Sequence, residues 1–116
     1  MSSSSLPALV EQHLATARTA SSGRSAQTLY GGHERTLHQT LIALAAGRKL
    51  DEHENPGEAT LHVLHGRVRL ATVTDATTAT DAVEAAAGDL LAIPDARHTL
   101  EALDDAAVLL TVAKPH

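Results

Sequence analysis

The sequence lacks cysteine, phenylalanine and tryptophan, and Tyr30 is its single tyrosine. Without cysteine the chain forms no disulfide, and a metal could be bound only by nitrogen and oxygen ligands. Without flat rings the chain lacks the surfaces that commonly stack on bases, sugars or flavins. The hydrophobic content of 43% must therefore come mainly from aliphatic side chains, which predicts a compact aliphatic core.

Long apolar runs and concentrations of positive charge are also absent from the sequence. No stretch approaches the roughly 20 apolar residues that span a bilayer, and the N-terminus has no basic flank of the kind that begins a secretory signal. With 9 Lys and Arg against 14 Asp and Glu, the chain offers no basic stripe for phosphates. We expect one cytoplasmic domain in these 116 residues, with neither a nucleic-acid nor a membrane partner.

Residues 1–33 are predicted to form a polar tail, a short helix and a linker. Apolar residues recur at helical spacing over Leu6 to Ala20, and Ser5 precedes them as the N-cap. His13 is expected on the polar side of this helix, and the linker begins at Ser21. Because so short a helix is marginal in water, its apolar stripe must rest on the protein's own sheet or on a second copy.

Residues 34–116 are predicted to form a β-barrel domain. Apolar and polar residues alternate in this region, and Gly66 marks the turn of a hairpin between two such stretches. We expect about seven short strands at regular spacing, with no helix between them. This pattern is typical of an all-β sandwich or small barrel.

Two regions of the barrel domain carry glycine and histidine at motif-like spacing. In the first region, Gly47 is followed after five residues by His53, then by Asn55, by Ala59 after three residues, and by Gly66 after six. This spacing resembles the first motif of the cupins, which runs Gly, five residues, His-x-His, three or four residues, Glu, six residues, Gly. Asn55 stands where the motif has its second histidine, and Ala59 stands where it has glutamate.

The second region resembles the second cupin motif, which runs Gly, five residues, Pro-x-Gly, two residues, His, three residues, Asn. Gly88 and Pro94 match this motif, while Ala96 replaces its second glycine and His98 comes one residue early. Ala102 takes the place of the Asn. The two motifs together cover most of the predicted strand region, and the chain resembles a group of small single-domain bacterial cupins.

The resemblance implies an all-β fold of the cupin type, a double-stranded β-helix or jelly-roll barrel, with the short N-terminal helix outside the motifs. In the family, motif side chains project into the barrel and hold a divalent metal. The resemblance therefore also implies that His53 and His98 bind iron, manganese, nickel or zinc. Because an asparagine is a poor third ligand for such metals, Asn55 is assigned to the binding of water or a ligand.

Other residues near the motifs leave alternatives open. Glu58 and His62 would reach the site only if their strand slipped by one residue or bulged, since neighbours on a strand face opposite sides. Arg97 and Glu101 flank His98, and they either bind an anionic ligand or pair with one another on the surface.

Two functions from different classes are consistent with these residues. In the first, the chain is a non-enzymatic module that binds or senses a small polar or anionic ligand, with Asn55 and Arg97 as ligand contacts and a degenerate metal site. In the second, it is a divalent-metal-dependent enzyme of the oxygenase or isomerase type, with His53 and His98 as metal ligands. The sequence has no nucleophile elbow, phosphate-binding glycine loop or H-E-x-x-H pair, so no catalytic residue is assigned.

A homodimer is also expected from the sequence. Short edge strands and an amphipathic helix outside the barrel leave apolar surface that a second copy of the chain would cover. A stabilising or assembly role without any ligand is a third and less specific hypothesis.

Overall fold

The computed structural model describes residues 3–53, 58–73 and 79–114. These residues form one helix and nine strands, which are α1 (Leu6–Thr19), β1 (Arg24–Tyr30), β2 (Leu37–Leu44), β3 (Lys49–His53), β4 (Glu58–His65), β5 (Arg67–Val73), β6 (Ala79–Ala86), β7 (Leu90–Ala92), β8 (His98–Ala102) and β9 (Ala106–Ala113). Within the described ranges, no helix is long and apolar enough to cross a membrane.

The strands form two sheets whose inner faces share one core. One sheet has five strands in the order β1-β2-β9-β4-β7, and the other has four strands in the order β3-β8-β5-β6. Every pairing between neighbouring strands is antiparallel. The predicted all-β class with a short N-terminal helix is therefore confirmed.

The sequence predicted about seven strands and missed β1 and β3. The prediction of a linker after Ser21 is wrong over Arg24–Tyr30, which pairs with β2 as strand β1. Both missed strands lie at the edge of a sheet. Edge strands tolerate polar and charged residues, so β1 is mostly exposed and β3 reads KLDEH with a single aliphatic residue. Neither strand shows the apolar alternation by which strands are recognised in a sequence.

The core between the two sheets consists entirely of aliphatic side chains, as the composition predicted. It draws on six strands, and on β4 the inward residues are Leu61 and Val63, in agreement with the predicted alternation. The buried members of this core are Leu44, Leu61, Val63, Val68, Leu70, Ala85, Leu100, Ala102, Ala106 and Val108.

Helix α1 packs on the outer face of the five-stranded sheet of its own chain. Ser5 caps the helix as predicted, since its hydroxyl oxygen accepts a hydrogen bond from the Ala8 N–H at 3.4 Å. A second apolar cluster joins the helix to β2 and β9, and its buried members are Val10, Leu14, Ala17, Leu41, Ala43 and Ala107. The sequence was consistent with two packing partners for this helix, the protein's own sheet or a second copy of the chain. The structure shows that the helix packs on the protein's own sheet.

His13, expected on the polar side of the helix, is buried between α1 and β1, which the sequence did not predict. Its side chain is 8% exposed. The ring Nε2 lies 2.8 Å from the Gln27 Oε1 and the ring Nδ1 lies 2.7 Å from the Ser25 Oγ. Because an amide oxygen only accepts, Nε2 donates to Gln27 and Nδ1 accepts from the Ser25 hydroxyl in the neutral ring. The polar side of the helix therefore meets a polar strand, where its histidine is fully hydrogen-bonded.

Asp105, in the turn before β9, links three parts of the chain. Its Oδ2 accepts from the Arg18 Nε at 2.7 Å, and its Oδ1 accepts from the Ala46 N–H at 2.8 Å. The hydrogen bond from Arg18, followed by that from Ala46, lowers the pKa of the Asp105 carboxyl below its usual value of 3.8. Asp105 therefore joins the last turn of α1 to the barrel.

Replacing His13 with alanine should lower the free energy of unfolding by roughly 1–3 kcal/mol, because Ser25 and Gln27 lose their hydrogen-bond partner and a side chain is removed from a buried contact. Chemical denaturation monitored by circular dichroism would measure the change. His33→Ala, in an exposed loop, is the matched control and should leave stability unchanged. Equal stability of the two variants would contradict the role assigned to His13.

Replacing Asp105 with asparagine should lower the free energy of unfolding at pH 7 by roughly 0.5–1 kcal/mol, since a partly exposed ion pair is screened by water. A lowered folded-state pKa stabilises the protein above the pKa of the unfolded chain, and this stabilisation is lost as the pH falls through the folded value. The difference between wild type and Asp105→Asn should therefore shrink below about pH 4. Denaturation at several pH values tests this, and a constant difference would exclude it. Asp104→Asn, which removes an exposed contact with Arg67, should have the smaller effect at pH 7.

Candidate functional site

The inner face of the four-stranded sheet changes from aliphatic to polar along its strands. Leu70 on β5 is the cross-strand partner of Leu100 on β8, and both are buried in the core. The next inward pair along the same two strands is Thr72 with His98. Because directly opposite residues in an antiparallel pair share one face of the sheet, Thr72 and His98 extend the core face as polar residues.

The backbone register extends this pair to all four strands of the sheet. His53 on β3 is the Cα partner of His98, and Asp81 on β6 is the Cα partner of Thr72. We call these four residues, His53, His98, Thr72 and Asp81, the polar row. The two histidines that the sequence singled out thus occupy neighbouring positions on paired strands. Their assignment as metal ligands stays a prediction.

His98 is a buried residue of the polar row. It is 3% exposed, and its Nδ1 lies 3.0 Å from the carbonyl oxygen of Ala96. Because a carbonyl oxygen only accepts, Nδ1 carries the proton in this contact. In the neutral ring Nε2 then has the lone pair, which is the form in which an imidazole accepts a hydrogen bond or binds a metal.

A small interior cavity of about 30 Å³ lies against His98. Its other walls are aliphatic, and its lining residues are Ile42, Leu50, Leu61, Leu70, Ile93, His98, Leu100 and Leu110. This volume is enough for one or two water molecules, whereas pockets for drug-sized ligands are roughly ten times larger or more. Within the described residues, a ligand touching His98 from this cavity must therefore be very small or enter with only part of its structure.

A second and larger cavity lies between one edge of each sheet. Strand β6 is the last strand of one sheet and β7 is the last strand of the other. The cavity between them, which we call the seam crevice, has a volume of about 190 Å³ and is lined by Leu70, Thr72, Asp81, Ala82, Val83, Ala92 and Pro94. Leu70 lines both this crevice and the interior cavity.

The described side chains do not complete a metal site. A transition metal in a protein commonly needs three or more donors from imidazole or carboxylate when thiols are absent. Among the side chains that the structure describes, no group of three His, Asp or Glu residues could hold a metal ion. Ala59 occupies the carboxylate position of the motif on β4, and Asn55 lies outside the described residues. Among the described side chains the donors do not complete a three-ligand centre, and the assignment of His53, whose side chain lies outside this set, stays a prediction.

The remaining residues considered in the sequence lie away from the polar row or on another face. Arg97 is exposed immediately before β8, and its carbonyl oxygen accepts the Val73 N–H at 2.9 Å. Glu101 alternates with His98 along β8 and pairs in register with Lys49 and Arg69, so it belongs to the outer face.

On β4, His62 is the partner of Leu90 and Leu109, while Leu61 and Val63 face the core. His62 therefore belongs to the outer face of the five-stranded sheet, as does Glu58, four positions earlier on the same strand. Neither residue supplies the donor that Ala59 lacks.

Thr72 and Asp81 were missed in the sequence. The stretches that contain them are rich in Thr, Asp and Ala and carry no motif. Their position beside His98 follows from the register of β5 with β6 and β8, which joins residues distant along the chain. A sequence gives the two-residue period of a strand but does not give this register.

Three solved structures show which known proteins this architecture resembles. A conserved protein of unknown function from Streptococcus pyogenes is similar with a TM-score of 0.70 and 23% identity, over 84% of this chain and 79% of that one. A cupin superfamily protein from Desulfitobacterium hafniense has a TM-score of 0.67 and 16% identity, over 79% and 78% of the two chains. An RmlC-like cupin protein from Desulfovibrio desulfuricans has a TM-score of 0.66 and 23% identity, over 80% and 84%.

No protein-family model matches the sequence. No curated protein matches it either. The likeness to the solved structures is therefore one of fold, and it agrees with the fold that the motif spacing implied.

Proposed function

We propose that this chain, which has the cupin fold, is a small-molecule-binding or sensing module with a degenerate metal site. The observation that carries the proposal is the polar row on an otherwise aliphatic inner face, with His98 buried at 3% exposure. A buried polar side chain lowers stability unless it is hydrogen-bonded, so a buried histidine beside Thr72 on the same sheet face is suited to ligand recognition. No group of three metal donors lies among the described side chains, and this supports a degenerate metal site.

In this proposal each polar residue contributes hydrogen bonds or charge to the binding of the ligand. The His98 Nε2 accepts a hydrogen bond from the ligand, and the Thr72 hydroxyl donates or accepts a second one. Asn55 and Arg97, assigned from the sequence, would contact the polar or anionic end of a ligand. The cytoplasmic location also remains a prediction from the sequence.

The second candidate function is a divalent-metal-dependent enzyme of the oxygenase or isomerase type. The backbone register favours it, because it makes His53 the cross-strand partner of His98. Iron, manganese, nickel or zinc held by these two residues and one further donor would supply a Lewis acid with open coordination positions. The chain's own residues would then orient the substrate beside the metal.

Metal content separates the two functions. We expect tag-free protein to contain much less than one equivalent of iron, manganese, nickel or zinc, and a chelator to leave its melting temperature unchanged. Elemental mass spectrometry and thermal unfolding measure both quantities. Stoichiometric metal that is lost in both His53→Ala and His98→Ala, but kept in the control His65→Ala on the exposed end of β4, would overturn the binding module and support the enzyme.

We also propose that the chain forms a homodimer through the outer face of the five-stranded sheet. Helix α1 packs mainly on β1 and β2, and on β4 Leu64 packs against its apolar cluster, which leaves Leu90 on β7 outside that cluster. Leu90 is 66% exposed and Leu37 on β2 is 43% exposed. A dimer interface over this face would cover both side chains.

Replacing Leu90 with lysine should convert the dimer into a monomer, because a charge would be placed in an apolar interface. Sedimentation velocity at micromolar concentration measures the change. Val83→Lys is the control, since Val83 is 46% exposed but belongs to the other sheet. A wild-type monomer under the same conditions would exclude the proposed dimer.

A further inference from the structure

The seam crevice contains a carboxylate without a partner in the described part of the chain. Asp81 is exposed at this edge, and its side chain makes no ion pair or hydrogen bond there. Arg67 forms ion pairs with Glu84 and Asp104, and Arg18 forms one with Asp105. Among the described residues, no Lys or Arg forms an ion pair with Asp81.

The other walls of the crevice combine a hydroxyl with aliphatic surface. Thr72 lies beside Asp81 in the polar row, and its Oγ1 is 3.4 Å from the Asp81 backbone oxygen. Val83 follows Asp81 on the same face of β6, and Ala92 and Pro94 line the crevice from the β7 side; none of the three carries a polar side-chain atom. One end of the crevice thus suits a charged hydrogen-bond donor, and the other end suits a short hydrocarbon.

The carboxylate, the hydroxyl and the aliphatic surface together restrict the kind of small ligand that the crevice can bind. An anion in the crevice would be repelled by Asp81, and a purely apolar molecule would leave the carboxylate without a partner. A volume of about 190 Å³ also limits the ligand to a size below that of drug-like molecules. A small aliphatic molecule with a protonated amine satisfies all three conditions.

We propose that the seam crevice binds a small aliphatic ammonium ion, with its charge on the Asp81 carboxylate and its hydrocarbon against Val83 and Pro94. The inference rests on the proposed binding function, for which it supplies a class of ligand. Bound in this way, the hydrocarbon end also lies against Leu70, which lines the interior cavity beside His98 as well.

The expected affinity is low, because one exposed charge pair contributes little in water. We expect a Kd in the millimolar range for a minimal probe, with weaker binding as salt screens the charge. A natural ligand with further polar groups would reach the rest of the polar row and bind more tightly.

Protein NMR with n-butylammonium, n-butanol and butyrate as probes tests this inference. We expect n-butylammonium to shift the backbone amides of Thr72, Asp81 and Val83 in a saturable way, n-butanol to shift them more weakly, and butyrate to leave them unchanged. Asp81→Asn should weaken n-butylammonium binding by about 1.5-fold to fivefold, the range of an exposed ion pair. Glu84→Gln is the matched control, because it removes the same charge from the opposite face of β6 and should leave binding unchanged.

Three results would overturn the inference, namely no response of the crevice amides to n-butylammonium, equal binding by Asp81→Asn, or equal binding of butyrate in the crevice. The fingerprint spectrum of each variant shows directly whether it is folded. These failures are distinguishable from failure of the proposed function, which is judged by metal content in the wild type and in the two histidine variants. A response to n-butylammonium at surface carboxylates other than Asp81 would also count against the crevice.

Discussion

The close packing of aliphatic side chains between two sheets is the constraint on which the rest of this structure depends. With no phenylalanine or tryptophan to fill space, Leu, Val, Ile and Ala must do so, and each large side chain that is fully buried contributes about 1.5–3 kcal/mol. The sheets therefore lie close together, and the cavity beside His98 has a volume of about 30 Å³. Among the described residues, the inner face of the four-stranded sheet becomes polar at Thr72 and His98, next to the seam crevice.

Local signals in the sequence, together with the motif spacing, were enough to predict the helix, the all-β class and the fold. Ser5 before an apolar stripe is a local signal, and so is Gly66, whose φ of +74° and close approach to the backbone of Asp105 leave no room for a side chain. His13 was misjudged because its partners, Ser25 and Gln27, lie on an edge strand that has no apolar pattern. A polar helix face meeting a polar strand gives no hydrophobic signal from which burial could be predicted.

The candidate site could be predicted only in part. Motif spacing pointed to His53 and His98, and the backbone register makes them cross-strand partners. Thr72 and Asp81 could not be found in this way, since their places depend on how β5 pairs with β6 and β8. Strand register is a non-local property, because it is set by the packing of one whole sheet face against the other. It is therefore encoded in the sequence but cannot be recognised from any short stretch of it.

The position of β3 at the edge of its sheet affects the polar row directly. Strand β3 is hydrogen-bonded to β8 alone, whereas β8 is also held by β5 in the middle of the sheet. Edge strands detach at a lower free-energy cost than central strands, through local opening instead of global unfolding. Fraying of β3 would move the backbone of His53 away while His98 stayed in place. The polar row would then lose one of its residues while the core remained folded.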